Sequence, residues 1–425
     1  MDEEPTTRPS LWKHRDFMLL WSGQTISEVG SSVTALALPL LAVITLHATA
    51  FETGLLAACT NLAFLVVALP AGAWVDRWRR KPVLVYGDLG RVLLLASIPV
   101  ARHFDVLSMP QLYVVAVLTG ILTVFFDVAY QSYLPVLVEP DDLVDANGKI
   151  GASQSFGQVA GPSVAGGLIA AFGAAYALIV DAASFLVSAV ATGSIRTREP
   201  KPDPRPPELR LRDEIKEGLA WVLKEPILRK VVGCTGTSNF FSSAFVAVEA
   251  LFLVNVLHAS PGVIGIVFSL GSIGGLLGGI FAGRIAKRLG SARAIWMSLT
   301  LGGPLIVASV FAFPGWGIAL IGVSVFAGSF GSVVYNVGQV SYRQGICPPA
   351  LLGRMNASVR FIVWGTMPLG AFVGGVLGEV IGIRPTVAIA QFGNWAACLW
   401  LLFSPLFGMR DLPTARAEEP VLAPS

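Results

Sequence analysis

The chain reads as an all-α membrane protein, with twelve transmembrane helices arranged as two six-helix bundles. Three observations carry that reading. Of 425 residues, 54% are hydrophobic and only 13% charged, whereas soluble domains carry about 25% charged residues. With a mean hydropathy of +0.69, such a chain cannot present polar surface all round, so lipid is its solvent. Apolar runs near or above the roughly 20 residues needed to span a bilayer recur along the whole length. Lys and Arg also concentrate in alternate connections, as the positive-inside rule requires of a protein that crosses and recrosses a membrane.

Taken in order, a polar N-terminal tail (1–16) has no cleavage pattern of a signal peptide, being acidic at its start. Apolar runs follow at about 17–46, 53–75, 83–102, 109–137, 149–172 and 174–195, forming a first bundle over about 17–195. A linker at about 196–230 is rich in Pro and charge, then places Leu211, Ile215, Leu219 and Val222 at helical spacing, the pattern of an amphipathic helix on a membrane surface. Six more runs, at about 231–257, 261–286, 292–313, 316–345, 356–381 and 384–408, form a second bundle over about 231–408. A tail (409–425) closes the chain.

Orientation follows from the cations. Arg8, Lys13 and Arg15 precede the first run, Arg77, Arg79, Arg80 and Lys81 follow the second, and the linker holds many more. Arg284, Lys287, Arg288 and Arg293 surround the turn after the eighth run, and Arg410 and Arg416 follow the last. On the other side stand Arg102 and Arg384. Both termini and the linker are therefore expected in the cytoplasm.

The halves echo one another. Ala282 to Arg288 (AGRIAKR) occupies in the second half the place that Ala71 to Arg77 (AGAWVDR) occupies in the first, with Lys287 in place of Asp76. Gly166–Gly167 and Gly374–Gly375 fall in matching runs. Such parallel six-helix repeats build a transporter around a central site.

Ala71–Arg91 is the most informative stretch. Two spans are joined by a turn too short to be a domain, so its charges must act on neighbouring helix ends. Gly72 allows close backbone approach, and Asp76 suits a helix N-terminus. Arg77 and Arg80 suit carboxylates or anionic lipid. The spacing resembles the signature loop of the major facilitator superfamily, G-x-L-A-D-R-x-G-R-K-x-x-L. Gly72, Asp76, Arg77, Arg80, Lys81 and Leu84 match it, while Trp74 and Arg79 depart from it. Asp88 and Arg91, an i,i+3 pair, and Arg360 are read with this loop as gate contacts, made in one conformation and broken in another.

The fifth run carries Gly148, Gly157, Gly161 and Pro162, which resemble the antiporter motif of drug exporters, G-x8-G-x3-G-P-x2-G-G. Three residues rather than two separate Pro162 from Gly166. The resemblance implies export coupled to inward proton flow; the other reading of the same residues is a packing seam. Residues Arg15–Ala42, Asp76–Arg91 and Leu178–Ala189 are further similar to the bacterial branch that includes enterobactin-exporter-like and macrolide-efflux-like proteins, also called transmembrane secretion effectors.

Ionisable groups within spans are functional suspects, because a charge in hydrocarbon is costly. Glu28, Asp127, Asp181 and Glu249 are the proton-coupling candidates; Glu28 and Asp127 lead, since in the resembled fold their helices line the cavity. Polar and aromatic residues that could line a pocket are Gln24, Asn61, Gln131, Asn239, Asn336, Gln339 and Trp364.

No phosphate-binding loop is present, so ATP is not the expected energy source. The four histidines and the four cysteines, Cys59, Cys234, Cys347 and Cys398, lack metal-ligand spacing. Neither an enzyme nor a cofactor, metal or nucleic acid is expected. The expected partners are a small-molecule substrate, protons and membrane lipid, with the chain acting as a monomer in the bacterial inner membrane. The function implied is export of a hydrophobic or amphipathic small molecule by alternating access. An importer on the same fold and a non-transporting scaffold or sensor are the alternatives.

Overall fold

In the computed structural model, residues 11–75, 77–139, 142–197, 199, 219–347 and 352–413 are described. Asp76, the first ten residues, and Leu211 and Ile215 of the expected amphipathic helix lie outside them. Within the described residues the chain is helical throughout, and the long helices are twelve.

The first half comprises α1 (Arg15–Ile44), α2 (Ala50–Val75), α3 (Arg80–His103), α4 (Met109–Leu137), α5 (Leu143–Phe172) and α6 (Ala174–Gly193). The second comprises α7 (Pro226–Leu251), α8 (Pro261–Leu289), α9 (Ser291–Val307), α10 (Ala319–Ile346), α11 (Leu352–Val380) and α12 (Ile383–Ala396). A π-helical turn at Phe252–Val256 continues α7.

Ten of these helices are long and apolar enough to cross a membrane by themselves. The exceptions are α5 and α12. The first has 30 residues but includes Asn147, Lys149, Gln154 and Gln158. The second stops at Ala396, and the chain turns before a short helix at Leu399–Leu402. Residues 383–402 together reach about 30 Å at 1.5 Å per residue.

Local chemistry sets the ends. His14 Nδ1 accepts the Phe17 N–H at 3.1 Å and caps α1. Pro follows the N-cap at the start of α7 and α8, where its missing N–H leaves no helix bond unmade. α5 turns into α6 at Gly173, and α11 into α12 at Gly382. Their φ values of 81° and 90° lie where a side chain would be strained. These two glycines hold matching places in the two halves, so the repeat extends to the turns.

Within the first half α1 packs on α5 and α6, α3 on α4 and α6, and α2 on α4. Within the second, α7 packs on α11 and α12, and α10 on α8 and α9. Between the halves, α2 packs on α11 and α7, and α5 packs on α8. Adding six to a helix number converts the α2–α11 seam into the α8–α5 seam, so one approximate twofold axis relates both.

Candidate functional site

Both seams close at the end of the bundle away from the chain termini, here the distal end. Gly54, near the start of α2, faces Gly375, near the end of α11. A methyl group added at Gly54 would sit 2.8 Å from the Gly375 nitrogen and 2.9 Å from the Ala371 carbonyl oxygen. On the other seam, a methyl at Gly166 of α5 would sit 2.8 Å from the Pro261 carbonyl oxygen and 2.9 Å from the Gly265 Cα of α8. Small residues allow this approach, and lipid-embedded helices gain their packing from it. The Ser163 and Ser269 hydroxyls are 2.7 Å apart across the α5–α8 seam. The Phe51 and Phe372 rings meet edge to face at 5.8 Å. The Phe51 N–H donates to Glu379 at 3.3 Å, so a carboxylate of the second half caps the N-terminus of α2 in the first.

Of the antiporter-motif residues, Gly157 packs on Glu28 and Gly161 on Ser32, both of α1. Pro162 contributes its carbonyl oxygen to the α5–α8 contact, 2.6 Å from where a methyl on Gly265 would lie. Among the described residues, nothing lies within 4 Å of where a methyl group on Gly148 would sit. The stripe therefore serves an intra-half contact and, through Gly166, an inter-half one.

The first half encloses a cluster of charge. Asp88 and Arg91 of α3 form an ion pair that is 0% and 4% exposed. The Arg91 guanidinium lies between the rings of Phe126 of α4 and Phe185 of α6, 4.4 and 4.1 Å from their centroids. Such placement adds a cation–π attraction to the ion pair. Asp127 of α4 and Asp181 of α6 are within electrostatic reach of the same guanidinium, and Asp127 is within reach of Glu28. The Thr34 hydroxyl of α1 donates to Asp181, as does Ser184, at 3.1 Å. Gln24 donates to Glu28 at 3.0 Å. Asp88, Asp127 and Asp181, from three helices, thus lie around one guanidinium, and Glu28 of α1 joins the group through Asp127. Among the described residues, Asp88 Oδ2 and Tyr130 Oη are buried without a hydrogen-bond partner. Glu249, on α7 of the other half, is 6% exposed and stands apart from this cluster.

The remaining polar residues scatter. Asn61 donates to the Ala57 carbonyl of its own helix at 2.9 Å. Asn239 donates to Val363 of α11 at 3.1 Å. Gln339 donates to Asn336 at 2.9 Å. Gln131 and Asn336 are exposed. The exposed Arg360 lies over the Trp364 ring, 5.4 Å from its centroid.

At the end bearing the termini, Gly72 lies in α2 and Arg77 is exposed; Asp76 is outside the described residues. Arg80 forms an ion pair at 3.1 Å with Glu199, a residue just beyond α6 that sequence reasoning missed. Its carboxylate also accepts the Arg80 and Lys81 N–H groups at 2.8 and 3.2 Å, and so caps α3. Asp16 at the start of α1 accepts the N–H groups of Arg196 and Thr197. The linker is therefore moored where it leaves the first bundle. Linker acids within reach of a helix N-terminus were the available signal, and the basic residues around them obscured it.

The family description "Major Facilitator Superfamily" matches residues 20–233 and again 231–424, once for each half. The multidrug efflux pump Tap of Mycolicibacterium fortuitum is 28% identical over 388 residues, covering 88% of this chain and 92% of that protein. The enterobactin exporter EntS of Citrobacter koseri is 23% identical over 392 residues, covering 89% of each. Among solved structures, a bacterial homologue of the iron transporter ferroportin in its inward-facing state superposes with a TM-score of 0.75 at 15% identity, covering 93% of this chain and 99% of that one. The outward-facing state of that homologue gives 0.58 at 16% identity, covering 91% and 98%. Two repeats of six helices joined at glycine seams, matched by the family along nearly the whole length, make this a multi-pass transport protein and not an enzyme: the chain belongs to the major facilitator superfamily.

Proposed function

We propose that the protein exports a hydrophobic or amphipathic small molecule across the bacterial inner membrane by alternating access, in exchange for protons. The observation that carries this reading is the gathering of Asp88, Asp127 and Asp181 around Arg91, with Glu28 beside Asp127. Three carboxyl groups sharing one cation, with a fourth beside one of them, leave places for exchangeable protons inside the membrane, and charge there is kept only where it works. Glu28 and Asp127, half-buried on α1 and α4, are the proton-exchanging pair. Arg91 is the fixed counter-charge, with Asp88 and Asp181 holding it in place.

The distal seal is the closed outer gate, and the termini lie in the cytoplasm. Better overlap with an inward-facing than with an outward-facing relative supports this assignment. Gly72, Asp76, Arg77, Arg80 and Arg360 form the inner gate that closes in the alternate state. The named exporters among the relatives support the outward direction and a bulky, largely apolar cargo.

Everted membrane vesicles carrying the protein test the reading. With a fluorescent cationic dye as trial cargo, an energised vesicle should accumulate dye and lose part of its proton gradient on dye addition. Glu28→Gln and Asp127→Asn should each uncouple dye movement from the gradient. Uptake that runs only in right-side-out vesicles would make the protein an importer. Intact coupling in both variants would remove the proton role from these two carboxyls.

A further inference from the structure

Between α8, α9 and α10 lies a cavity of about 320 Å³, lined by Ile285, Leu289, Met297, Leu301, Leu305 and Phe330 among other apolar groups. Leu301 and Leu305 are 63% and 48% exposed along its side, so the groove opens outward. Ala294 to Leu305, its extent along α9, rises about 16 Å at 1.5 Å per residue. That is the depth of one leaflet of a hydrocarbon core about 30 Å thick.

The repeat places different side chains at the matching positions of the first half. Aligning Ala71–Arg77 with Ala282–Arg288 places Trp74 opposite Ile285 and Trp78 opposite Leu289. In the first half those two tryptophans stack on Phe125 of α4, with centroids 6.0 and 5.9 Å apart. Indole rings stand there where the second half has short aliphatic side chains beside a groove.

The rim changes in the same comparison. Lys287 replaces Asp76, and Arg284, Lys287, Arg288 and Arg293 are all exposed where α8 turns into α9. Among the described residues none of the four forms an ion pair. The nearby Asp411 is engaged by the Ser291 N–H at 3.0 Å and lies 3.9 Å from Arg410. An apolar slot one leaflet deep, ending in cations that form no ion pair among the described residues, has the chemistry of a phospholipid seat. Basic clusters at a membrane surface attract anionic headgroups over zwitterionic ones.

We propose that the groove between α8, α9 and α10 holds one acyl chain of an anionic phospholipid, with its phosphate against Arg288 and with Arg284, Lys287 and Arg293 around it. This rests on membrane embedding alone and is independent of the direction of transport.

Native mass spectrometry of the full-length protein in detergent, titrated with phosphatidylglycerol or with phosphatidylcholine of the same chains, tests it. Phosphatidylglycerol should be retained about ten-fold more strongly. Arg288→Gln and Arg293→Gln should each weaken its retention about five-fold, the effect of roughly one surface cation. The double variant Ile285→Trp, Leu289→Trp, which copies the first half, should abolish retention of one lipid equivalent. The two charge variants are surface changes and keep the test valid if the tryptophan variant does not fold. Equal retention of the two lipids, or retention untouched by the charge variants, would overturn the proposal. So would one-for-one displacement of the lipid by a transported dye, since the groove would then be a side entrance for cargo.

Discussion

Gly54 of α2 and Gly375 of α11 meet backbone to backbone across the two halves, at a separation that no side chain at either position would permit. Gly166 and Gly265 repeat the arrangement on the opposite seam. The distal face is thus held shut mainly by the absence of side chains, with a serine pair, an aromatic pair and one capping carboxylate beside it.

Gly375→Val should therefore prise the distal face open. Overpacking of a tight contact costs about 1–3 kcal/mol, and here it is relieved by moving to the state in which the halves part distally. The population should shift by a factor of about 5–150. Distance measurements between spin labels on the distal ends of α5 and α8 would report it. An unchanged distance distribution would mean that the seam accommodates a side chain by sliding.

The Ser163–Ser269 contact offers a reversible lock. In a background lacking Cys59, Cys234, Cys347 and Cys398, the pair Ser163→Cys, Ser269→Cys should form a disulfide under mild oxidation, since its hydroxyls are 2.7 Å apart. Cargo movement should stop on oxidation and return with reductant. Transport that continues in the fully cross-linked protein would show that α5 and α8 need not separate distally.

Arg91→Met should destabilise the protein by about 3–5 kcal/mol, because it leaves Asp88 buried without its cation. Asp88→Asn combined with Arg91→Met should recover part of that loss, since the carboxylate paired directly with the guanidinium has gone while Asp127 and Asp181 remain. Thermal unfolding in detergent separates the cases; equal destabilisation by the single and double variants would assign the effect to lost packing against Phe126 and Phe185.

Glu199→Gln should loosen the basic turn. The cap on α3 and the pair with Arg80 weaken together, at about 0.5–2 kcal/mol for a cap. Trypsin cleavage in the run Arg79–Lys81 should become several-fold faster while the rest of the digestion pattern holds. A cleavage rate equal to that of the unaltered protein would show that the mooring does not protect the turn.

Much of this architecture is legible in the residue order. Apolar runs, cations in alternate turns and the Ala71/Ala282 echo are one-dimensional patterns that lipid and the membrane interface impose directly. The acid cluster was half legible. Each of Glu28, Asp127 and Asp181 stands out alone in an apolar run, but the meeting of Asp127 and Asp181 at Arg91, with Glu28 beside Asp127, depends on which helices adjoin, and no spacing within one helix encodes that. Asp88 and Arg91 were legible as a pair because i,i+3 neighbours share a helix face; that the pair sits between Phe126 and Phe185 was not. The polar residues Asn61 and Asn239 bond to helix carbonyls, a fate that residue type does not separate from a place in a pocket.

The paired glycine contacts also constrain how the molecule can move. A rigid body touching another at two places keeps one easy freedom, rotation about the line through them. Here that line joins the two seams across the distal end, so while both hold, one half can only tilt to widen the end near the termini, and the distal end parts only when both contacts let go. Each contact is bare backbone with no side chain to interlock, so it can be broken and remade through many cycles without catching.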